Sequence, residues 1–131
     1  MTSKDVVSVE YARMLKMAGL PQATTAYWYG TIASLDTIQG EAPIATEKIG
    51  KVKWRLVLAQ PPDPSASAYT LKELKDWIEI FKEANPTDKP LPEVRQVNKT
   101  YIASVGDKDL FTGKSEPNVF AQAVLYFIKI P

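Results

Sequence analysis

Apolar residues recur along this chain with two periods, and the switches between them mark its elements. From Asp5 to Ala18, Val7, Tyr11, Met14, Leu15 and Ala18 fall on one stripe at helical spacing, while Arg13 and Lys16 fall elsewhere. This predicts an opening helix. Gly19 suits its left-handed C′ position, Leu20 can fold back on the last turn, and Pro21 forbids continuation. Thr24 to Ile32, rich in aromatic and β-branched residues, reads as a strand. Ser34 to Ala45, with Asp36, Gly40 and Pro43, reads as a loop, and Thr46 to Ile49 as a short helical turn.

Lys51 to Gln60 carries the clearest alternation. Val52, Trp54, Leu56 and Leu58 interleave with Lys51, Lys53 and Arg55, which predicts a strand with one apolar and one basic face. The run Pro61-Pro62-Asp63-Pro64 stops it, since proline donates nothing to a ladder, and Ser65 to Tyr69 reads as surface loop. Thr70 and Glu73 then form a capping-box pattern before an apolar stripe of Leu71, Leu74, Trp77, Ile78 and Phe81. Asn85-Pro86 closes this second helix, and Pro86 to Pro92 reads as a stiff connector.

Glu93 to Val105 alternates weakly, with Val97, Tyr101, Ala103 and Val105 on one side. Gly106-Asp107-Lys108 predicts a turn into a short strand, Leu110 to Thr112. The last element, Pro117 to Ile130, reads as a helix capped near Ser115, with only Asn118, Gln122 and Lys129 as its polar stripe. Such a girth is either central to a core or shared with a partner. A strand from Val124 to Ile130 competes with this reading, because a short apolar run does not settle the period. The predicted order is α-β-β-α-β-β-α, an α+β fold with an antiparallel sheet of about four strands and helices on one face. No repeat or domain boundary interrupts it, so residues 1–131 read as a single globular domain.

Two of these segments and a third near the end carry a family likeness. The run Ala12-Arg13-Met14-Leu15-Lys16-Met17-Ala18-Gly19-Leu20-Pro21-Gln22, followed by Ala26-Tyr27-Trp28-Tyr29, resembles the start of small uncharacterised α+β proteins encoded by phages and prophages. In those, a helix end of the type LKxLGF leads into an aromatic strand. Tyr69 to Ile78 is similar to their second helix, with its Thr cap and buried Trp, and Ser115 to Ile130 stands where they have a final helix. The Lys51–Gln60 strand and the Pro86–Pro92 connector depart from that pattern. The resemblance implies a fold and a phage-type origin and brings no activity with it.

Composition narrows the chemistry. There is no histidine and no cysteine among the 131 residues. That excludes Ser-His-Asp and Cys-His sites, zinc fingers, redox pairs and disulfides. The six glycines are scattered singly, so no phosphate-cradling loop or Rossmann fingerprint is present. Asp107-Lys108-Asp109 has metal-site spacing, but Phe111 and Gly113 break a Ca²⁺ loop and the residues suit a hairpin turn. No cofactor, metal or catalytic constellation is expected, and the chain reads as non-enzymatic.

Sixteen basic against fifteen acidic residues leave a net charge of +1, so an anionic partner needs a local patch. Lys48, Lys51, Lys53 and Arg55 are the candidates for nucleic acid, set against the plainer role of lysines guarding an edge strand. Tyr27 and Tyr29 are the candidates for an interaction surface, unless a doubly covered sheet buries them together with Trp28. The longest apolar run, Ala123 to Ile128, is too short to span a bilayer, and no signal peptide is evident, which implies a cytoplasmic protein without a membrane partner. The reading is a phage-type interaction protein acting by protein binding or homo-oligomerisation, with a nucleic-acid accessory module as the alternative.

Overall fold

Local rules and long-range pairing divide the labour in this chain, and the computed structural model, which describes residues 1–32 and 43–129, shows where each operates. Its residues gather into two compact units, Met1–Tyr69 and Thr70–Pro131.

In the first unit, a 3-10 turn at Ser3–Asp5 is closed by Thr2, whose backbone amide donates to the Asp5 carboxylate at 2.8 Å. Val6 and Val7 are then extended and buried, and the Val7 amide donates to the Tyr69 carbonyl at 3.0 Å. The first helix, α1 (Val9–Met17), therefore starts four residues later than the stripe predicted. The β-branched valines are better placed in an extended, buried segment than in a first turn. The stripe is also rotated. Val9, Ala12 and Leu15 face inward, and Met14 and Met17 face solvent.

The predicted helix stop holds. Gly19 has φ +94°, its amide donates to the Lys16 carbonyl, and the Leu20 amide donates to the Leu15 carbonyl at 3.1 Å. These two bonds satisfy carbonyls that a helix end otherwise orphans, with Leu15 and Leu20 both buried beside them.

Strands β1 (Tyr27–Ile32), β2 (Ala45–Ile49), β3 (Val52–Val57) and β4 (Ser65–Ser67) form an antiparallel sheet in the order β2-β3-β1-β4. The expected helical turn at Thr46–Ile49 is a strand, turned back onto β3 by Gly50, φ +61°, and Lys51. The expected loop at Ser65–Tyr69 likewise supplies β4, which pairs with Tyr27–Tyr29. Of the predicted loop over Ser34 to Ala45, residues 34–42 lie outside those described.

One face of this sheet carries Trp28, Gly30, Trp54 and Leu56, with Trp28 opposite Leu56 and Gly30 opposite Trp54. Gly30 is glycine for a local reason: a β-carbon there would stand 3.1 Å from the Trp54 ring. Trp28 Nε1 donates to the Val7 carbonyl at 2.9 Å, which ties the opening segment to this face.

In the second unit, α2 (Leu71–Ala84) has the predicted reciprocal cap. The Glu73 amide donates to Thr70 Oγ1 at 3.2 Å and the Thr70 amide to Glu73 Oε1 at 2.9 Å. The weak alternation over Glu93–Val105 resolves into two strands, β5 (Pro92–Val97) and β6 (Thr100–Val105), joined by a two-residue turn with Asn98 at φ +57°. Asparagine tolerates that left-handed conformation better than other non-glycine residues. β7 (Lys108–Gly113) follows the predicted Gly106 turn and completes a second antiparallel sheet, ordered β5-β6-β7.

The final element is the helix α3 (Glu116–Lys129), capped at Ser115, and the competing strand does not form. Val119 and Ala123 of α3 pack on Ala103, flanked by Val94, Tyr101 and Phe111. The α+β class holds, while the single expected sheet is replaced by two, with three strands added to the predicted order.

Candidate functional site

The rotation of α1 decides what the first unit shows to solvent. With Val9, Ala12 and Leu15 turned inward, Arg13, Met14, Lys16 and Met17 line the outer side of the helix. The Arg13 guanidinium lies 5.5 Å from the centroid of the Trp54 ring, a cation–π contact that shields the indole, which is only 6% exposed. Lys16 Nζ donates to Asp63 Oδ1 at 3.0 Å and to the Ser65 carbonyl at 2.7 Å, which pins the segment before β4 to the helix. The Lys16 hydrogen bond, and then its charge, hold the Asp63 carboxyl below the ordinary aspartate value.

These contacts border a groove of about 510 Å³ lined by Arg13, Lys16, Met17, Ile49, Val52 and Trp54. Its rim is apolar and open: Met17 is 89% exposed and Ile49, at the end of β2, 38%. Exposed single apolar residues are ordinary on a protein surface, but here two, from α1 and from β2, line the same concave site as Arg13 and Lys16. Methionine adds adaptability, because its unbranched thioether can repack against differing shapes. The surface suits a partner with apolar side chains and a negative or polar edge.

The residues singled out from sequence are distributed differently. Strand pairing brings Tyr29 opposite Arg55, and Lys48 opposite Lys53, all on one sheet face with Tyr27. The expected juxtaposition of basic and aromatic side chains is thus present in the register. Its accessibility is uneven. Arg55 is 6% exposed and Tyr27 7%, Tyr29 and Lys53 are half-buried, and Lys48 and Lys51 are open. Lys51 belongs to the hairpin turn and not to the strand face it was assigned to. Arg55 and Lys53 both engage other groups. The Tyr27 hydroxyl accepts from the Thr24 amide at 3.2 Å, so this ring is structural.

Asp107 sits in the turn after Gly106, and Asp109 in β7 is held by Arg95 through two bonds of 2.9 and 2.8 Å. The Arg95 hydrogen bond lowers the Asp109 carboxyl below its ordinary value. The pair thus serves turn and strand, and no cluster able to hold a metal occurs among the described residues. No helix among those residues is long and apolar enough to cross a membrane.

The groove beside α1 escaped the sequence reading because its lining comes from α1, β2, β3 and the Asp63–Ser65 segment, which are brought together only by tertiary structure. Met17 gave no separate signal, since it follows Met14 at an ordinary helical spacing of three. Comparison with known protein families, with curated proteins and with solved structures found no match.

Proposed function

We propose that this is a non-enzymatic binding protein that engages another protein through the groove between α1 and the β2–β3 hairpin. The supporting observation is the pair of exposed apolar side chains, Met17 and Ile49, on the rim of a concave surface that also presents Arg13 and Lys16. The absence of histidine and cysteine, and the structural employment of the Asp63 and Asp109 carboxylates, are in keeping with binding over catalysis. A phage-type origin and a cytoplasmic setting belong to the same reading and rest on the sequence resemblance.

A photo-crosslinking residue placed at position 17 or 49 tests the site in an extract of the source cells. A discrete adduct is expected from each position, lost when Met17→Asp and Ile49→Asp are combined with the probe at the other position. Adducts that survive those changes, or an absence of adducts from both positions, contradict the reading.

A nucleic-acid role has one observation in its favour, the cross-strand alignment of Tyr29 with Arg55 and of Lys48 with Lys53. Retention on single-stranded DNA that is abolished by Lys48→Glu with Lys51→Glu, and that falls steeply with salt, would replace the first reading with this one.

A further inference from the structure

The strand β5, Pro-Glu-Val-Arg-Gln-Val, lies at one edge of the second sheet. Its hairpin with β6 is closed by two residues, so the flanking pair Val97 and Thr100 exchange hydrogen bonds. The antiparallel alternation then directs the amides of Arg95 and Glu93 to β6 and leaves the backbone groups of Pro92, Val94 and Gln96 pointing away. Pro92 stands where no amide is needed for the ladder. Among the described residues no backbone partner meets the outward groups of Val94 and Gln96. Glu93, Arg95, Gln96 and Val97 are all exposed. Beside this edge runs a groove of about 400 Å³, bordered by Lys75 and Glu79 of α2 and by Leu91, Val94 and Arg95.

We propose that this edge takes a second copy of the same chain, β5 against β5, antiparallel about a two-fold axis at Val94. An unpaired edge templates strand addition by any extended segment, and the side chains of β5 choose among them. Its outward positions are centred on Val94, whose amide and carbonyl exchange with the partner's Val94, while Pro92 offers only its carbonyl, to the partner's Gln96 amide. Its charges, Glu93 and Arg95, are symmetric about the same residue and opposite in sign.

In the register centred on Val94, each Glu93 faces the partner's Arg95, twice across the axis. Sliding by one hydrogen-bonding step either way sets Glu93 against the partner's Glu93, or Arg95 against the partner's Arg95, and like charges directly opposite destabilise a pair. Asp109 holds Arg95 on this sheet face with two bonds, and a guanidinium has further donors free for a second carboxylate. Among the described residues Glu93 has no ion pair of its own. The strand is self-complementary in charge and register, with four backbone hydrogen bonds across the axis from Val94 and Gln96, and the two three-stranded sheets join into one continuous sheet.

The contact is small, so it forms at micromolar or higher concentration. Light scattering or sedimentation equilibrium of the full chain, from about 10 μM to about 1 mM, reads it directly. A monomer–dimer equilibrium is expected. Glu93→Arg alone and Arg95→Glu alone should each shift it at least about tenfold towards monomer, the size of effect a few unfavourable charge pairs produce. Mixing the two variants in equal amounts should restore the dimer mass, because every cross-strand pair is then oppositely charged. A chain that stays monomeric throughout, a dimer indifferent to either variant, or a mixture that stays monomeric overturns the proposal. Should Arg95→Glu unfold for want of its Asp109 bridge, Glu93→Arg decides alone, since an unweakened dimer is sufficient to reject the pairing. Met17→Asp, in the other unit, leaves this equilibrium unchanged, so the result is independent of the groove beside α1.

Discussion

Helices α1 and α3 reverse what their sequences suggest about exposure. After Glu116, α3 has only Asn118, Gln122 and Lys129 to break its apolar girth, a composition that invites a partner, yet Pro117, Val119, Phe120, Ala121, Ala123, Val124, Leu125 and Phe127 are all buried within the chain itself. α1 is shorter and more polar, and it is this helix that leaves Met14 and Met17 in solvent. Apolar content measures how much surface must be covered. It does not say whether the protein's own sheet and helices already cover it. The girth of α3 therefore no longer motivates self-association, and the case for a dimer passes to the polar edge strand β5.

The contrast can be broken most sharply by truncation on each helix. Phe120→Ala in α3 removes a fully buried ring and is expected to destabilise by about 3–5 kcal/mol in urea unfolding. Met17→Ala in α1 should stay within about 0.5 kcal/mol of the parent. Similar costs at both sites would mean that the exposed methionine is packed in solution.

A smaller effect is expected where α3 meets β7. A β-carbon at Gly113 would lie 2.9 Å from Val119 Cγ2, so Gly113→Ala must shift the buried Val119 side chain or the elements that carry the two residues. A loss of roughly 1–3 kcal/mol is expected, the usual cost of overpacking, whereas Gly19→Ala in the cap of α1 meets open space and strains only its own backbone. Comparing the two by thermal unfolding separates a packing cost from a conformational one.

The smallest expected effect is electrostatic. Asp63 and Asp109 each have a pKa lowered by a cation, so the unfolded chain binds protons more readily in acid than the folded one. Their contribution is complete above the ordinary aspartate value of 3.8 and fades as pH falls below it through the depressed values. Both side chains are more than half exposed, so solvent screening keeps the contribution slight. Asp109→Asn should lower the urea midpoint slightly at neutral pH and leave it almost unchanged at the acid end, which flattens part of the acid limb of a midpoint-against-pH curve. An unaltered acid limb would show that the Arg95 bridge is not maintained in solution.

What could be read from the chain was whatever closes over a few residues. The Gly19 helix stop, the Thr70–Glu73 cap, the Ser115 cap and the Gly106 turn all formed as their local chemistry requires, because each satisfies orphaned backbone groups with partners three to five residues away. Alternation alone also identified β3, although it ends at Val57 and not at Gln60.

The candidate site was legible only as residue types. Tyr29, Lys53 and Arg55 do share a sheet face, but β2 and β4 exist because β3 and β1 offer them edges, and neither has a pattern that announces a strand. The burial of Arg55 and Tyr27, the direction in which α1 turns Met17, and the free edge of β5 depend on what lies across space and not on what lies next in the chain. The sequence by itself determined the α+β class, the helix boundaries set by caps and stops, and the lack of histidine or thiol chemistry. Tertiary structure decided the number of sheets, the strand pairings and which apolar side chains stay wet. Local hydrogen bonding needs only neighbours, whereas burial and strand register are settled by partners that sequence spacing does not reveal.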